Sequence, residues 1–337
     1  MTLDRLLAEQ QLSPALQRYE WVLLSPKNAQ YSLPLRAITH IKTGILQSHA
    51  WEQTELYHAT RNDILLNFCN TGSIIHPRQF VLIHDACVYR HPEFYSKPYV
   101  LLHQLLGKLL ARNSIIGTVS HFSRSELTAL LAPASPIGVF YNGADHLRHI
   151  TANTTIIERL RLQATPFFLC IGSLTKNKNV RLAVKAFEQL NHASAWLVIV
   201  SGGNKTIFGS EELPSANNVI HAGRLSDAEI AGLYAAAQAF IFPSIYEGFG
   251  LPPLEAMHHG CPVLATTAPA VQEICGDAAS YFDPHNANAL AQLMRQTLDG
   301  TINRAALAEK HAARVKLFTW EKNAHSIARM IEDQLCV

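Results

Sequence analysis

Two glutamates bracket a turn rich in glycine and proline in the segment EGFGLPPLE, which runs from Glu247 to Glu255. Gly248 and Gly250 allow backbone conformations that are closed to other residues, and they let the chain approach a ligand closely. Pro252 suits the first position of a following helix, where a missing N–H costs nothing. The free N–H groups of such a first turn bind anions and are well suited to phosphate.

The two carboxylates restrict the kind of ligand that this turn could hold. An ionised glutamate only accepts hydrogen bonds, so a glutamate beside a phosphate site favours a ligand that also carries hydroxyl groups. A nucleotide sugar offers both, with a diphosphate for the amides and two sets of hydroxyls for the two carboxylates. Glu255 also has a purely structural explanation, because the helix dipole stabilises an acid in the first turn by about 0.3–1 kcal/mol without any ligand.

A lysine follows another predicted strand in FFLCIGSLTKNKNVRLAV, residues 167–184. That strand ends at Gly172, and a polar loop leads to Lys178 at the start of a helix. There a lysine can neutralise a phosphate leaving group through a charge-assisted hydrogen bond worth about 1.5–3 kcal/mol. A solvated loop lysine is the commoner role for a single residue of this type. Asn177 or Asn179 fits a helix N-cap with or without a ligand.

Polar side chains follow two further predicted strands. His84 and Asp85 come after the apolar run FVLI, and Arg224 follows the strand in HAGRLSDAE. Ligands of doubly wound α/β domains bind outside the carboxyl ends of the strands, so each of these side chains is a candidate for the site. Structural roles are also open: a hydrogen-bonded histidine, an aspartate that caps a turn and a surface arginine.

The composition is that of a soluble globular protein, with 337 residues, 48% apolar and 16% charged, which is enough chain for about two domains. A net charge of +2 without any block of like charge gives no sign of a nucleic-acid partner. No apolar run approaches the roughly 20 residues of a membrane span. The six cysteines form no CxxC pair and are expected to be reduced, buried thiols of a cytoplasmic protein; they are Cys69, Cys87, Cys170, Cys261, Cys275 and Cys336.

Short apolar segments alternate with helical patterns, which predicts a doubly wound α/β fold with parallel sheets. In the second half the predicted strands are FFLCIGS, WLVIVSGG, NVIHAG, AFIFPS, PVLAT and ASYFD, with helices in NVRLAVKAFEQL and DAEIAGLYAAAQ. In the first half the strands are WVLLS, DILLNFC, FVLIHD, SIIGTVS and IGVFYNG, with helices in EQTELYHATR, PEFYSKPYVLLHQLLGKLLARN and SRSELTALL. Ser123 and Glu126 have the spacing of a capping box at the start of the last helix.

We expect an N-terminal domain over residues 1–150 and a C-terminal domain over residues 151–318, joined by the polar segment 149–166. The first strand of the N-terminal domain and its glycine-rich turn are not visible, because the chain opens with a helix-like segment. The final segment, residues 319–337, carries a stripe of apolar residues and should pack against another element.

The predicted helix from Pro92 to Arg112 is basic. Lys97, His103 and Lys108 lie with Arg112 outside its leucine stripe. This helix could make weak peripheral contact with an anionic membrane surface, although a solvated helix face is the commoner explanation.

Taken together, these residues resemble the retaining nucleotide-sugar glycosyltransferases of glycosyltransferase family 4. The family's E-x7-E motif matches Glu247 to Glu255, and its strand–G-x-x-x-x-x-K loop matches Gly172 to Lys178. The segments EICGDAASYFDP, VLIHDA, GTVSHFSRSEL, VFYNGAD and FTWEKNA are also similar to family segments, so the resemblance covers roughly residues 63–335. It implies the GT-B fold, in which two Rossmann-like doubly wound domains face each other across a cleft and a final helix crosses back to the first domain.

The resemblance also implies a role for each matching residue. Lys178 would neutralise the diphosphate, Glu247 would contact the donor hexose, and Glu255 would accept hydrogen bonds from the ribose. His84 would lie against the donor sugar from the N-terminal domain, which makes His84, Glu247 and Lys178 the candidate catalytic residues. The amides of the glycine-rich turn would hold the phosphate and the donor sugar. Gly223 and Arg224 would lie near the nucleotide base. The implied donor-binding set is Gly172, Ser173, Lys178, Gly223, Arg224, Glu247, Gly248, Phe249, Gly250, Leu251 and Glu255.

The implied activity is retaining transfer of a hexose, with GDP-mannose as the favoured donor, to a glycan or lipid-linked saccharide in polysaccharide biosynthesis. Retention of the anomeric configuration in this family is often explained by front-face attack, in which the leaving phosphate helps to deprotonate the acceptor. No carboxylate nucleophile is therefore expected. No metal or other cofactor is expected either. Ser173 stands where many members have arginine, which places more of the phosphate neutralisation on Lys178.

Other functions remain open on the same architecture. The chain could be a nucleotide-sugar-binding protein without transferase activity, a GT-B epimerase, or a phosphorylase that carries pyridoxal phosphate on a lysine. The family's usual glycine-rich loop is not visible in the N-terminal domain, which is the feature that favours a binding protein.

Overall fold

The computed structural model describes residues 2–30, 33–146, 150–202 and 217–335, which form two α/β units. The first unit consists of Met1–Ala86, Leu101–Gly143 and Trp320–Val337, and the second of Cys87–Val100 and Ala144–Thr319. Several residues of segments interpreted above lie outside the described ranges, among them His149, Gly203, Cys336 and Val337.

The strands of the first unit are β1 (Val22–Pro26), β2 (Thr39–Thr43), β3 (Leu65–Asn67), β4 (Gln79–Leu82), β5 (Ile115–Thr118) and β6 (Gly138–Val139). The strands of the second unit are β7 (Phe167–Ile171), β8 (Trp196–Val200), β9 (Val219–Gly223), β10 (Ala239–Phe242), β11 (Val263–Thr266) and β12 (Ser280–Phe282).

The α-helices in chain order are α1 (Thr2–Ala8), α2 (Pro14–Gln17), α3 (Ser48–Trp51), α4 (Tyr57–Thr60), α5 (Cys87–Arg90), α6 (Lys97–Asn113), α7 (His121–Leu131), α8 (Thr155–Arg159), α9 (Val180–Leu190), α10 (Asp227–Ala236), α11 (Leu251–His258), α12 (Pro269–Cys275), α13 (Ala287–Leu298), α14 (Arg304–Val315) and α15 (Trp320–Gln334). A π-helical turn at Glu52–Leu56 joins α3 to α4, and short 3-10 turns lie at Pro92–Phe94, Lys176–Lys178 and Gly276–Ala278.

The first unit contains a parallel sheet with the strand order β3-β4-β5-β6, and β1 pairs with β2 in a separate parallel pair. Helix α15 belongs to this unit. Its predicted apolar stripe is confirmed as a packed face, because Ala324, Ile327, Ile331 and Leu335 are all buried.

The second unit has a parallel sheet with the order β12-β11-β10-β7-β8-β9. The chain runs outward from β7 to β9 on one side, returns to the centre, and then runs outward from β10 to β12 on the other side. Helices α9 and α13 pack on one face, where the fully buried side chains include Phe168, Val184, Ile241, Leu264 and Leu290. Ligands of such sheets bind where the direction of winding reverses, and in this sheet that point lies between β7 and β10.

The structure contains a strand that the sequence did not predict. The segment THIKT forms β2 and pairs with β1 in register from Val22–Thr39 to Pro26–Thr43. Most of β2 is solvent-exposed. Its sequence THIKT is therefore polar apart from one isoleucine and forms no continuous apolar run. The strand in WVLLS, which was predicted, therefore has a partner that carries almost no apolar signal.

Two helix starts were predicted wrongly. The helix expected from Pro92 begins instead at Lys97, after the 3-10 turn, because Pro98 has no N–H and fits only the first turn of a helix. The expected capping box at Ser123 is also wrong, since α7 already begins at His121. Its N-cap is Ser120, whose hydroxyl accepts from the Ser123 N–H at 3.0 Å.

The polar segment 149–166 is not a plain linker. It contains α8, and it belongs to the second unit, where the Asn153 N–H donates to the Ala228 carbonyl at 2.8 Å. Arg159 forms an ion pair of 2.6 Å with Glu229 of α10. The second unit starts at Ala144 and includes the additional segment Cys87–Val100.

The expectation for the cysteines is correct for Cys87, Cys170, Cys261 and Cys275, which are buried free thiols, but Cys69 is exposed. Cys69 lies two residues beyond the end of β3, so the sheet does not bury it. Within the described residues, no helix is both long and apolar enough to cross a bilayer.

Candidate functional site

The loops that follow β7 and β10 leave the sheet side by side. The two strands are paired, with Phe168 opposite Ala239 and Cys170 opposite Ile241. The loop after β7 carries Lys178 at the end of its 3-10 turn. The loop after β10 carries Glu247. Since these loops flank the point where the winding reverses, the fold itself brings the predicted lysine and the first predicted glutamate to one place.

Lys178 and Glu247 form an ion pair. Lys178 Nζ donates to Glu247 Oε1 over 2.6 Å, and the two side chains are only 26% and 13% exposed. The ammonium also lies 5.9 Å from the centroid of the Phe242 ring. A Cβ at Gly172 would lie 3.6 Å from the lysine Cγ, so the stem of the lysine runs directly over this glycine. A phosphate bound here would compete with Glu247 for the same ammonium.

Hydrogen bonds fix the loop after β7 to its neighbours. The Asn179 side-chain amide donates to the carbonyl of Pro243 at 3.1 Å and to that of Pro284 at 2.8 Å, which ties this loop to those after β10 and β12. Asn179 has φ 52°, a left-handed conformation that asparagine tolerates. The Ile245 N–H donates to the Asn177 carbonyl at 2.8 Å. Asn179 is therefore a cross-link between three loops, and its side chain does not cap α9.

The hydroxyl of Ser173 is part of the same loop. Ser173 Oγ lies 3.0 Å from Thr175 Oγ1, and Thr175 in turn donates to Asn177 Oδ1 at 2.6 Å. Because the single hydroxyl proton of Thr175 is used on Asn177, Ser173 is the donor of the first bond. The serine braces the loop and supplies no positive charge, as expected from its type.

The glycine-rich turn differs in one respect from the prediction. Gly250 has φ 115° and is the N-cap residue of α11, which begins at Leu251. Pro252 is thus the second helical residue, and Pro253 follows it. Neither proline has an N–H, so the first turn offers fewer amides than an ordinary helix start. The turn from Gly248 to Leu251, which the sequence predicts as the anion site, therefore ends directly before these two prolines.

Glu255 lies on α11, where burial makes its ionised form unfavourable. Its pKa is raised to about 7, mainly because burial disfavours the charged carboxylate. Tyr234 on α10 is fully buried and places its hydroxyl 3.4 Å from Glu255 Oε2 and 3.3 Å from the Pro252 carbonyl. His146 Nε2 lies 3.9 Å from Glu255 Oε1. Glu255 is the fifth residue of α11, outside its first turn, so the helix dipole, which acts within the first turn, does not account for this acid.

Gly223 and Arg224 lie further along the same edge. Gly223 ends β9 with φ 67°, and Arg224 is exposed. The stem of the arginine passes Gly202 at the end of β8, where a Cβ would lie 3.7 Å from the arginine Cγ. Because β9 is two strands away from β7 in the sheet, about 10 Å separates these strand ends. The pair thus lies on the same edge of the sheet as the ion pair of Lys178.

His84 lies in the first unit, after β4. Its Nε2 is 2.8 Å from the Phe68 carbonyl, and its backbone N–H donates to Asn70 Oδ1 at 2.7 Å. A carbonyl only accepts, so Nε2 carries the proton and Nδ1 is the acceptor of the neutral ring. The structural role that the sequence left open for His84 is therefore present, and its role against a donor sugar stays a prediction.

Sequence reasoning missed Tyr234 and His146 as neighbours of Glu255. Tyr234 lies in the helical pattern GLYAAAQ, where an aromatic residue is typical of the hydrophobic core. It is indeed buried, with 1% of its surface exposed. Only its hydroxyl, which needs a partner when buried, could have indicated a polar neighbour. Within the described residues, no group of three or more His, Cys, Asp or Glu side chains is arranged to hold a metal ion.

The chain is similar to known proteins. The sequence model of a family described as glycosyl transferases group 1 matches residues 153–314, a range that includes all the predicted donor-binding residues. The O-antigen chain mannosyltransferase B of Escherichia coli is 30% identical over 256 residues, which are 72% of this chain and 67% of that protein.

Solved structures resemble the whole chain. Sucrose-phosphate synthase from Thermosynechococcus elongatus superimposes with a TM-score of 0.72 at 19% identity, over 98% of this chain and 92% of that one. Anabaena HepE, solved in complex with UDP-glucose, gives a TM-score of 0.67 at 20% identity, over 83% and 81%. These likenesses confirm the predicted α/β fold class of GT-B type.

Proposed function

Because this chain belongs to the family of glycosyl transferases group 1, we propose that it transfers a hexose, with retention, from a nucleotide sugar to a glycan or lipid-linked saccharide in polysaccharide biosynthesis. We propose mannose from GDP-mannose as the donor. The name of the Escherichia coli relative, an O-antigen chain mannosyltransferase, supports the sugar and the kind of product. The observation that carries the proposal is the ion pair between Lys178 and Glu247 at the point where the sheet reverses its winding.

In the proposed complex the diphosphate lies on the amides from Gly248 to Leu251, and Lys178 donates to it. Glu247, released from the lysine, accepts hydrogen bonds from the hexose hydroxyls. Glu255 accepts from the ribose, which the ionised carboxylate can do through both of its oxygens. In this exchange the phosphate replaces Glu247 as the partner of the ammonium.

The proposed chemistry is a front-face displacement at the anomeric carbon. The bond from this carbon to the phosphate oxygen breaks, the bond to the acceptor oxygen forms on the same face, and the acceptor proton passes to the leaving phosphate. Lys178 stabilises the charge that develops on that phosphate, and a group in this position typically contributes about 10²–10³ in rate. We propose no covalent intermediate on a carboxylate, and we keep His84 as a proposed contact of the transferred hexose.

We further propose that transfer needs no metal, since Lys178 supplies positive charge at the leaving group. Activity that is unchanged after treatment with EDTA would support this, and activity restored only by a divalent cation would contradict it. We also propose that the protein works at the cytoplasmic side, with weak peripheral contact to the inner face of the membrane.

The test is a transfer assay over a panel of nucleotide sugars with saccharide acceptors, in which NMR reads the configuration of the new glycosidic bond. We expect turnover with GDP-mannose and an α-linked product from the α-linked donor. A β-linked product would overturn retention, and preference for a UDP-sugar would overturn the donor. Binding of donors without transfer or hydrolysis would favour a binding protein, and conversion of the nucleotide sugar without an acceptor would favour an epimerase.

A further inference from the structure

Helix α6 exposes three of its leucines to solvent. Leu101 is 72% exposed, Leu105 54% and Leu102 40%. Lone exposed apolar residues are common on protein surfaces, but clustered ones mark a surface that something covers. Three large leucines within one and a half turns of a helix form such a cluster.

The exposed leucines lie opposite the face on which α6 packs. The buried residues of the helix are Leu106, Gly107, Leu110 and Ala111, which belong to the first unit. At about 100° per residue, Leu101 and Leu105 lie roughly 150–170° around the helix from the centre of this buried set. The helix therefore has two apolar faces, and among the described residues only one of them is buried.

Cations flank the leucines on the exposed face. Lys97, Lys108 and Arg112 are exposed and fall within about 80° of Leu101 and Leu105 around the helix. Along the axis, Lys97 lies about 6 Å before the first leucine, and the other two cations lie about 4–11 Å after the last one. The whole helix, KPYVLLHQLLGKLLARN, contains no acidic residue. Its free face thus has an apolar centre with positive charge at both ends.

We propose that this face of α6, defined by Lys97, Leu101, Leu102, Leu105, Lys108 and Arg112, docks on an anionic lipid bilayer. The leucines enter the boundary between head groups and acyl chains, and the long basic side chains reach the anionic head groups. This deepens the peripheral membrane contact of the proposed function and names its surface and its lipid charge. A second copy of the chain fits less well, because a symmetric contact would set the cations of one face against those of the other.

The experiment is flotation of the full chain with vesicles of phosphatidylglycerol and, in parallel, of phosphatidylcholine. We expect binding to phosphatidylglycerol that weakens as salt is raised, and little binding to phosphatidylcholine. The variant Lys108→Gln/Arg112→Gln should bind about 25-fold more weakly, since each cation near an anionic surface is worth about fivefold. The variant Leu101→Asn/Leu105→Asn should lose about tenfold or more.

The matched control is Leu317→Asn, because Leu317 is also an exposed leucine, at 52%, and lies outside α6. This variant should float like the wild type. All the substituted positions are exposed, so the variants should keep the wild-type unfolding temperature. Equal binding of all variants, or equal binding to both lipids, would overturn the proposal. So would light scattering that shows a dimer in the wild type and a monomer in the leucine variant.

Flotation needs neither donor nor acceptor, so its outcome is separate from that of the transfer assay. A protein that floats but does not transfer would contradict the proposed activity alone. A protein that transfers to a soluble acceptor but never floats would contradict the membrane surface alone.

Discussion

At the scale of single residues, Lys178 is the group on which the proposed donor binding depends most. Its Nζ lies 2.6 Å from Glu247 Oε1. In the proposed complex the diphosphate takes the place of Glu247 as the partner of this ammonium. We predict that Lys178→Ala lowers kcat/KM for the donor by about 10²–10³, because the leaving phosphate loses its cation.

A neighbouring lysine provides the control for this prediction. Lys176 lies in the same 3-10 turn and is exposed, so Lys176→Ala should change kcat/KM by less than about twofold. Steady-state kinetics with GDP-mannose would measure both. A similar loss in the two variants would mean that the loop as a whole, and not the ammonium of Lys178, supports transfer.

Glu255 allows a prediction about stability. Its pKa of about 7 lies above the ordinary value of 4.5, so the folded state holds the proton more tightly than the unfolded state. Stability is therefore lost as the pH rises from 4.5 to about 7, and the loss is constant above that. We predict that Glu255→Gln raises the free energy of unfolding near pH 8 by on the order of 2–4 kcal/mol, and that this gain disappears at about pH 4.

The same substitution should weaken donor binding, because an amide nitrogen replaces one of the oxygens that accept from the ribose. Urea unfolding at the two pH values and calorimetric titration with GDP-mannose would measure the two effects. Glu188→Gln, at an exposed position on α9, is the control for a change of charge alone. A Glu255→Gln protein that is less stable than the wild type near neutral pH would show that the ionised carboxylate is not strained.

At the scale of elements, Asn179 holds three loops in register through its two hydrogen bonds to Pro243 and Pro284. Asn179→Gly keeps the left-handed backbone but loses both bonds, and we predict a loss of about 1–3 kcal/mol in the free energy of unfolding. Asn179→Asp keeps the shape but turns a carboxylate oxygen toward two carbonyls, so we predict a larger loss. Both should lower kcat/KM, because Lys178 is the preceding residue.

Urea unfolding and steady-state kinetics on the two variants would test this order. An aspartate variant as stable as the wild type would mean that the cross-link contributes nothing. A glycine variant with unchanged kinetics would mean that the loop after β7 holds its place without the side chain.

The elements also show what the sequence could predict. Strands such as β7 and β8 are continuous apolar runs because both faces of the sheet are covered, and that signal is local. Strand β2 has no such signal, since its side chains are mostly exposed and only its pairing with β1 makes it a strand. The exposure of the α6 leucines could not be predicted for a related reason, because periodicity shows that a helix has an apolar face but not which face meets the fold.

At the scale of the whole molecule, alternation of strands and helices predicted the fold class, and the E-x7-E and lysine loops predicted which strand ends carry the site. The contact of Lys178 with Glu247 follows from strand order, since β7 and β10 are neighbours although 67 residues separate the end of one from the start of the other. Tyr234 could not be predicted as the partner of Glu255, because their contact depends on how α10 and α11 pack, which no local pattern records.

The division into two units leads to a last prediction. Each unit has its own sheet, and the residues proposed to hold the nucleotide lie in the second unit. GDP alone should therefore stabilise the second unit, by about 2.7 kcal/mol when its concentration is about a hundredfold above the dissociation constant. Scanning calorimetry should show a higher unfolding temperature for the wild type with GDP, and no comparable shift for Lys178→Ala. An equal shift in both proteins would place the diphosphate away from Lys178, and the proposed donor site would then be wrong.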